Sequence, residues 1–373
     1  MLDEIAQAVL EREEVLRYLR GDYGEHGDRA RERIYSYLDE LRTTQRYPFY
    51  RALQHPLYPI LRKIERKPEN LHHVLNATRG HRIVYASNHK SHTDYLVEPL
   101  VLDDNGVRPP LIAAGINLFG GPLGLLHRHE TGAIPIRRHM QDPAYLITHK
   151  AYVAEILKKH DLFFYPEGGR SYSGELKSAK TGLIHAALTA GRRDLVIIPA
   201  AIAYDLVLED HILARQGTKK RQRPFSREIA EMVRYAVGYR SRAIVTFGAP
   251  IIASGYDPSS RTEVLELTRL IRTRIGSQVK VLPTALFAAA MRPSITRKDL
   301  EERIDRMIEE LSARHANLSV ASGRQAVDEA AEPLETRGIV VLERNRFRVR
   351  ERNVLKFYAR SIEHLLVTSG RTH

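Results

Sequence analysis

The sequence predicts an α/β chain: a central mixed sheet covered by helices, an N-terminal helical region, and a small C-terminal α/β module that can take a winged-helix-like form. Three observations carry this. From Arg82 to about Met291, short apolar runs end in Gly, Pro or polar residues and alternate with helical patterns, as a covered sheet requires. Before about residue 80 the apolar residues recur at helical spacing, and beyond Pro293 a capped helix, a hairpin pattern and a last helix follow one another. The expected division is 1–80, 81–291 and 292–373, and 373 residues suffice for one large core with smaller modules attached.

In the first region Ile5, Val9, Leu16 and Leu19, then Ile34, Tyr37, Leu38 and Leu41, mark amphipathic helices among charges. Tyr47-Pro48-Phe49-Tyr50 to Tyr58-Pro59-Ile60-Leu61, flanked by Arg51, Arg62 and Lys63, fits either a bilayer-contacting surface or a Pro-kinked helix packed on the next domain. The sheet strands are read at Ile83-Val84-Tyr85-Ala86, Leu111-Ile112-Ala113-Ala114, Leu162-Phe163-Phe164-Tyr165, Val196-Ile197-Ile198 and Ile244-Val245-Thr246-Phe247. Between them Asp142 caps a helix whose first turn takes Pro143 and whose pattern runs through Tyr145, Ile156 and Leu157 to Lys158 and Lys159. In the last region Thr296-Arg297-Lys298-Asp299 resembles a capping box. Ile339–Leu342 and Arg346–Val349 pair as a hairpin across Glu343-Arg344-Asn345, and a final helix holds Leu355, Tyr358, Ile362 and Leu366.

The chain has no cysteine, which excludes disulfides, thiolate metal sites, cysteine nucleophiles and enzyme-bound thioesters. Its 58 Lys and Arg against 45 Asp and Glu leave a formal charge of +13, suited to an anionic partner: nucleic acid, acidic lipid, a phosphate-rich cofactor or an acidic carrier protein. The start, Met1-Leu2-Asp3-Glu4-Ile5, lacks signal-peptide character, and no apolar run reaches the ~20 residues of a membrane span. The expected location is therefore cytoplasmic.

Three segments carry chemistry. Asn88-His89-Lys90-Ser91-His92-Thr93-Asp94 follows an apolar strand and puts His89 and Asp94 five positions apart at a strand-to-helix turn. An Asp bonded to one ring nitrogen fixes the tautomer and leaves the other nitrogen to take a proton; a His near a strand end also serves as a structural hydrogen-bonding residue. Gly132-Ala133-Ile134-Pro135-Ile136 leads into Arg137 and Arg138, of which one faces the site and the other the surface, and a guanidinium fork matches a phosphate monoester. Phe163-Phe164-Tyr165-Pro166-Glu167-Gly168-Gly169-Arg170-Ser171 is a strand ending in a tight glycine turn, followed by Lys180-Thr181-Gly182 before another helix, a setting that favours an anion. Taken singly, the last two segments read first as a solvated arginine edge and a plain turn with a surface ion pair.

Together, in this order, they resemble the glycerolipid acyltransferase family: His-x-x-x-x-Asp, a strand with Arg, Pro-Glu-Gly with Arg and Ser, then an apolar strand with Pro, here Val196-Ile197-Ile198-Pro199-Ala200. His89-Lys90-Ser91-His92-Thr93-Asp94-Tyr95-Leu96, Ala113-Ala114-Gly115-Ile116-Asn117-Leu118 and the Gly168-Gly169 pair are similar to the bacterial glycerol-3-phosphate acyltransferase branch and its dihydroxyacetone-phosphate relatives. Lysophosphatidate acyltransferases usually carry Glu-Gly-Thr-Arg at that turn. The resemblance runs from about Val84 to Asp205 and returns at Phe357–Ile362. Pro135 and Tyr172 depart from the pattern, and the chain is much shorter than the long bacterial enzymes.

The resemblance implies acyl transfer from acyl-CoA or acyl-carrier protein to the sn-1 hydroxyl of glycerol 3-phosphate, giving lysophosphatidate, the first step of phospholipid synthesis. His89 is the implied base and Asp94 its partner; Arg137 or Arg138, Arg170 and Lys180 would hold the phosphate, with Glu167, Gly168, Gly169 and Ser171 forming the pocket. No metal or cofactor is called for, the thioester being a co-substrate. The expected partners are the donor, a small phosphorylated acceptor and the cytoplasmic face of a membrane, contacted peripherally or monotopically. Candidate contacts are residues 47–61, the apolar Leu118–Leu126 run and the basic loop Lys219-Lys220-Arg221-Gln222-Arg223. Dihydroxyacetone phosphate or lysophosphatidate is the alternative acceptor. Readings of another class are a non-catalytic lipid or carrier-protein binder and a winged-helix nucleic-acid binder using Arg344, Arg346, Arg348, Arg350 and Arg352.

Overall fold

A computed structural model describes residues 4–21, 27–45, 64–116, 132–137, 140–216 and 241–366. Arg138, the 47–61 segment, the Leu118–Leu126 run and the 219–223 loop lie outside the described residues.

The expected mixed sheet is present. Its strands are β1 (Ile64–Glu69), β2 (Arg82–Ser87), β3 (Leu111–Gly115), β4 (Ala133–Ile136), β5 (Leu162–Phe164), β6 (Leu195–Tyr204), β7 (Ser241–Phe247) and β8 (Ile251–Ile252). They lie in the order β1-β7-β6-β2-β5-β3-β4, with β8 on β6. From β6 to β4 the pairs are parallel, while β7 and β8 run antiparallel to β6 and β1 runs parallel to β7. The middle strand β2 pairs Val84 with Leu162 of β5 and with Ile197 of β6.

Side chains alternate across a strand, so β2 feeds two cores. Ile83 and Tyr85 point to a cluster built with α5 (Asp94–Asp104) and with α10 (Pro283–Ala290), α11 (Arg297–Ala313), α12 (Gly323–Thr336) and α13 (Arg352–Arg360). Val84 and Ala86 point to the other, built with α1 (Glu4–Leu10), α2 (Glu13–Arg20), α3 (Gly27–Leu41), α6 (Pro143–Ile156), α7 (Gly182–Leu188) and α9 (Arg261–Gln278). Burial on both faces explains why the central strands read as continuous apolar runs.

Local signals hold where they are strong. Asp142 accepts from the Ala144 amide at 3.0 Å with Pro143 in the first turn, and Thr296 Oγ1 accepts from the Asp299 amide at 3.1 Å. After α10 come β9 (Ser294–Thr296), α11, α12, β10 (Val340–Glu343) and β11 (Arg346–Val349), the helix-strand-helix-helix-hairpin order of a winged helix.

Four expectations are corrected. Residues before 80 are not all helical: Ile64–Glu69 is a strand, disguised because an edge strand carries charges and tolerates Pro68. The hairpin turn is two residues, since Glu343 pairs with Arg346 and both Arg344 and Asn345 take positive φ, 49° and 61°. The last helix breaks at Ser361-Ile362, between α13 and α14 (Glu363–Leu366). The same turn corrects the arginine face: Arg344 sits in it and Arg352 opens α13, leaving Arg346 and Arg348 on the strand.

Candidate active site

The site forms at the C-terminal end of β2, beside β5 and β6, where an α/β sheet leaves a crevice. Asn88 fixes the exit of the chain: its amide donates to the Ile202 carbonyl at 3.1 Å and accepts the Ile202 N–H at 2.7 Å. The next residue, His89, is thereby lifted off the sheet, and the turn to α5 brings Asp94 back beneath it.

His89 Nδ1 lies 2.8 Å from Asp94 Oδ2, with the Asp side chain 0% and the His side chain 12% exposed. Asp94 Oδ2 also accepts the Lys90 and Ser91 amides at 2.6 and 2.8 Å, and Oδ1 accepts the Tyr204 hydroxyl at 2.7 Å. Burial pushes the Asp94 carboxyl up to about 6 against these donors, which favour its ionised form. The His89 ring stacks on Tyr165, whose hydroxyl donates to Glu98 at 2.9 Å; Ser87 Oγ donates to the other Glu98 oxygen at 2.5 Å. Glu98 is buried, and burial together with the neighbouring Asp94 carries its carboxyl well above the ordinary range.

The glycine turn after β5 closes over this dyad. Glu167 is buried, with one oxygen accepting the His89 amide and the other the Lys177 amide, each at 3.0 Å. The Ser171 amide donates to the His89 carbonyl at 2.9 Å. Gly168 takes φ +69°, and a Cβ there would lie 2.9 Å from Lys180 Cδ, so the lysine chain crosses directly over it. Arg170, 9% exposed, has its guanidinium over the Tyr172 ring, 5.4 Å from the centroid. One imidazole backed by a carboxylate, with a buried arginine and an exposed lysine on the facing turn, can take a proton from a hydroxyl while holding an anion beside it.

A family model described as Acyltransferase matches residues 65–203, the stretch that holds this constellation from β1 to the end of β6. Residues 65–203 are thus similar to the acyltransferase family. The glycerol-3-phosphate acyltransferase of Aeromonas hydrophila is 29% identical over 343 residues, covering 82% of this chain and 42% of the relative. That of Pseudomonas syringae is 29% identical over 338 residues, covering 81% and 40%. The chain thus spans about two fifths of the length of the curated relatives it matches. Among solved structures, the Thermotoga maritima 1-acyl-sn-glycerophosphate (LPA) acyltransferase PlsC overlays with a TM-score of 0.36 at 16% identity, covering 72% of this chain and 92% of that one.

Within the matched stretch the predicted residues divide. His89, Asp94, Glu167, Gly168 and Ser171 share one hydrogen-bonded or packed group, with Gly169, Arg170 and Lys180 on its glycine turn. Arg137 is apart: its guanidinium forks onto Glu40 of α3, at 2.7 Å for Nε, and lies over Tyr37. It follows β4, three strands from β2, roughly 14 Å across the sheet at ~4.8 Å per strand. Glu167 spends both oxygens on main-chain amides, so its part is to hold the turn to His89.

Sequence reasoning missed Lys90, Glu98, Tyr165, Tyr204 and Glu209. Lys90 is buried with Nζ on the Gly174 carbonyl, and burial lowers its pKa. Buried Glu209 accepts the His92 amide at 2.6 Å and Ser91 Oγ at 2.8 Å, and burial raises its carboxyl. A signal did exist for the two acids: each is a charge inside an apolar run, Tyr95-Leu96-Val97-Glu98 and Leu206-Val207-Leu208-Glu209. Among the described residues, no helix is long and apolar enough to cross a membrane.

Proposed function

We propose that this protein transfers a fatty acyl group from an acyl thioester, acyl-CoA or acyl-carrier protein, to the sn-1 hydroxyl of glycerol 3-phosphate, giving lysophosphatidate. The observation that carries the reading is the 2.8 Å pair of His89 Nδ1 with buried Asp94 inside the matched acyltransferase domain. The acceptor comes from the relatives named glycerol-3-phosphate acyltransferase, and the Gly168-Gly169 turn supports it.

Nδ1 is committed to Asp94, so Nε2 takes the proton from the acceptor hydroxyl. The oxygen attacks the thioester carbonyl, forming the new C–O bond. Collapse of the tetrahedral intermediate breaks C–S, and the imidazolium returns its proton to the leaving thiolate. Asp94 holds the ring in the right tautomer and balances the imidazolium charge. No covalent acyl-enzyme is required, in keeping with a chain that has no cysteine.

Arg170 and Lys180 are the first candidates for the acceptor phosphate, with Ser171, whose amide donates to the His89 carbonyl, beside Arg170. A fixed phosphate keeps one hydroxyl within reach of the base. Arg137 joins them only by exchanging Glu40 for the phosphate; Arg138 remains a candidate from sequence. Such substrates and product suit a peripheral enzyme at the cytoplasmic face of a membrane, at the start of phospholipid synthesis, and the +13 charge suits anionic lipid and anionic donors.

The test is acyl transfer by the purified protein, in lipid or detergent, from each donor to glycerol 3-phosphate, dihydroxyacetone phosphate and lysophosphatidate in parallel. Preference for glycerol 3-phosphate is expected. Preference for another acceptor moves the pathway step, and inactivity with both donors removes the reading.

A further inference from the structure

The C-terminal elements reach the site through a buried lock. Glu209, which ends the loop from β6, and Asp210, which opens α8 (Asp210–Gln216), lie side by side, both 0% exposed, and the two face opposite partners. Glu209 faces the His89–Asp94 turn, where it accepts Ser91 Oγ at 2.8 and 3.0 Å and the His92 amide at 2.6 Å. Asp210 faces the C-terminal elements: Tyr358 of α13 donates its hydroxyl to Oδ2 at 2.6 Å, and Arg337 pairs with Oδ1. The same two residues hold the loop backbone. Arg337 Nη2 donates to the Val207 and Leu208 carbonyls, each at 3.1 Å, and the Val207 amide donates to Tyr358 Oη at 3.0 Å.

A second contact comes from α13 itself. A Cβ on Gly174 would lie 1.8 Å from the Phe357 carbonyl oxygen, and the Gly174 carbonyl accepts Lys90 Nζ. The segment around α13 therefore touches both loops that flank the dyad. A buried aspartate, arginine and tyrosine cost desolvation that apolar packing would avoid, so they need a return other than stability.

We infer that Tyr358 and Arg337 are positioning residues for acyl transfer: through Asp210 and the 207–209 backbone they hold Glu209, which holds the main chain between His89 and Asp94. The inference rests on the acyl-transfer reading above. Its physical content lies in the Lys90 and Ser91 amides, which stabilise the Asp94 carboxylate; a loosened Glu209 lets that turn move, weakens those donors and makes Asp94 easier to protonate.

The experiment compares wild type, Tyr358→Phe, Arg337→Lys and a control, Arg348→Ala, whose exposed side chain lies on the outer face of β11. Each is checked for folding by circular dichroism and melting, then assayed for kcat, KM and the pH dependence of kcat/KM with the acceptor that wild type uses. In folded Tyr358→Phe we expect kcat to fall about tenfold, KM to stay within about twofold, and the acid limb to move to higher pH, with Arg348→Ala unchanged. Arg337→Lys keeps a charge opposite Asp210 but loses the fork onto the carbonyls, and it decides the question if Tyr358→Phe does not fold. Wild-type kcat and an unmoved acid limb in the folded variants overturn the inference, as does a loss confined to melting temperature. Wild type inactive on every acceptor removes the acyl-transfer reading and this inference with it.

Discussion

The His89 ring lies flat against Tyr165, centroids 4.1 Å apart and planes 12° from parallel, while the phenol hydroxyl donates to Glu98. Asp94 fixes the imidazole through Nδ1, and the stack stops it tilting out of that bond. Tyr165→Phe keeps the stack but strips Glu98 of a donor, so stability should fall by about 1–3 kcal/mol with turnover largely kept. Tyr165→Ala removes the stack, and kcat should fall about tenfold or more in protein that still folds. Urea titration and steady-state rates on both variants separate the two effects.

Glu98 and Asp94 are both fully buried, in unlike surroundings. Asp94 has amide and hydroxyl donors that favour a carboxylate, whereas burial and the neighbouring Asp94 push Glu98 toward its protonated form. Glutamine imitates a neutral glutamic acid, so Glu98→Gln should keep kcat within about threefold and leave the acid limb of the pH profile in place. A limb shifted to lower pH would mean that the native Glu98 carries charge.

The Asp94 carboxyl titrates near 6 rather than at its ordinary 3.8. Activity that needs the carboxylate should fall as pH drops through that value. Stability runs the other way. The folded protein binds this proton more tightly than the unfolded chain, so the contribution is complete below 3.8 and is lost as pH rises through about 6. Relative to wild type, Asp94→Asn should therefore gain on the order of 3 kcal/mol between about pH 4 and pH 7 while losing ~100-fold or more in kcat. A stability difference that does not change with pH would contradict this.

Two glycines near the site should differ in what they tolerate. Alanine at Gly168 meets the flexible end of Lys180 at positive φ and should cost about 1–2 kcal/mol. Alanine at Gly174 meets the Phe357 backbone and should cost more, lowering the melting temperature further and separating α13 from the site loop.

The dyad was legible in the sequence because its geometry is local: a strand exit and one turn bring positions 89 and 94 together. The inner strands were legible because burial on both faces leaves unbroken apolar runs. β1 was not, since an edge strand with charges and Pro68 carries no strand pattern. Arg137 read as a phosphate ligand, but sequence spacing does not reveal that Glu40 folds back onto it from α3. Tyr165, Tyr204 and Glu209 acquire their roles only when β5, the end of β6 and the loop after it meet the His89 turn, a relation that no local pattern encodes.

The central claim is that His89, held by Asp94, is the base for acyl transfer, and the most direct test is the kcat of folded His89→Ala against wild type with glycerol 3-phosphate and a long-chain acyl thioester. The account predicts a loss of ~100- to 10,000-fold with an unchanged melting profile. Turnover within a few-fold of wild type would contradict it, whatever the acceptor.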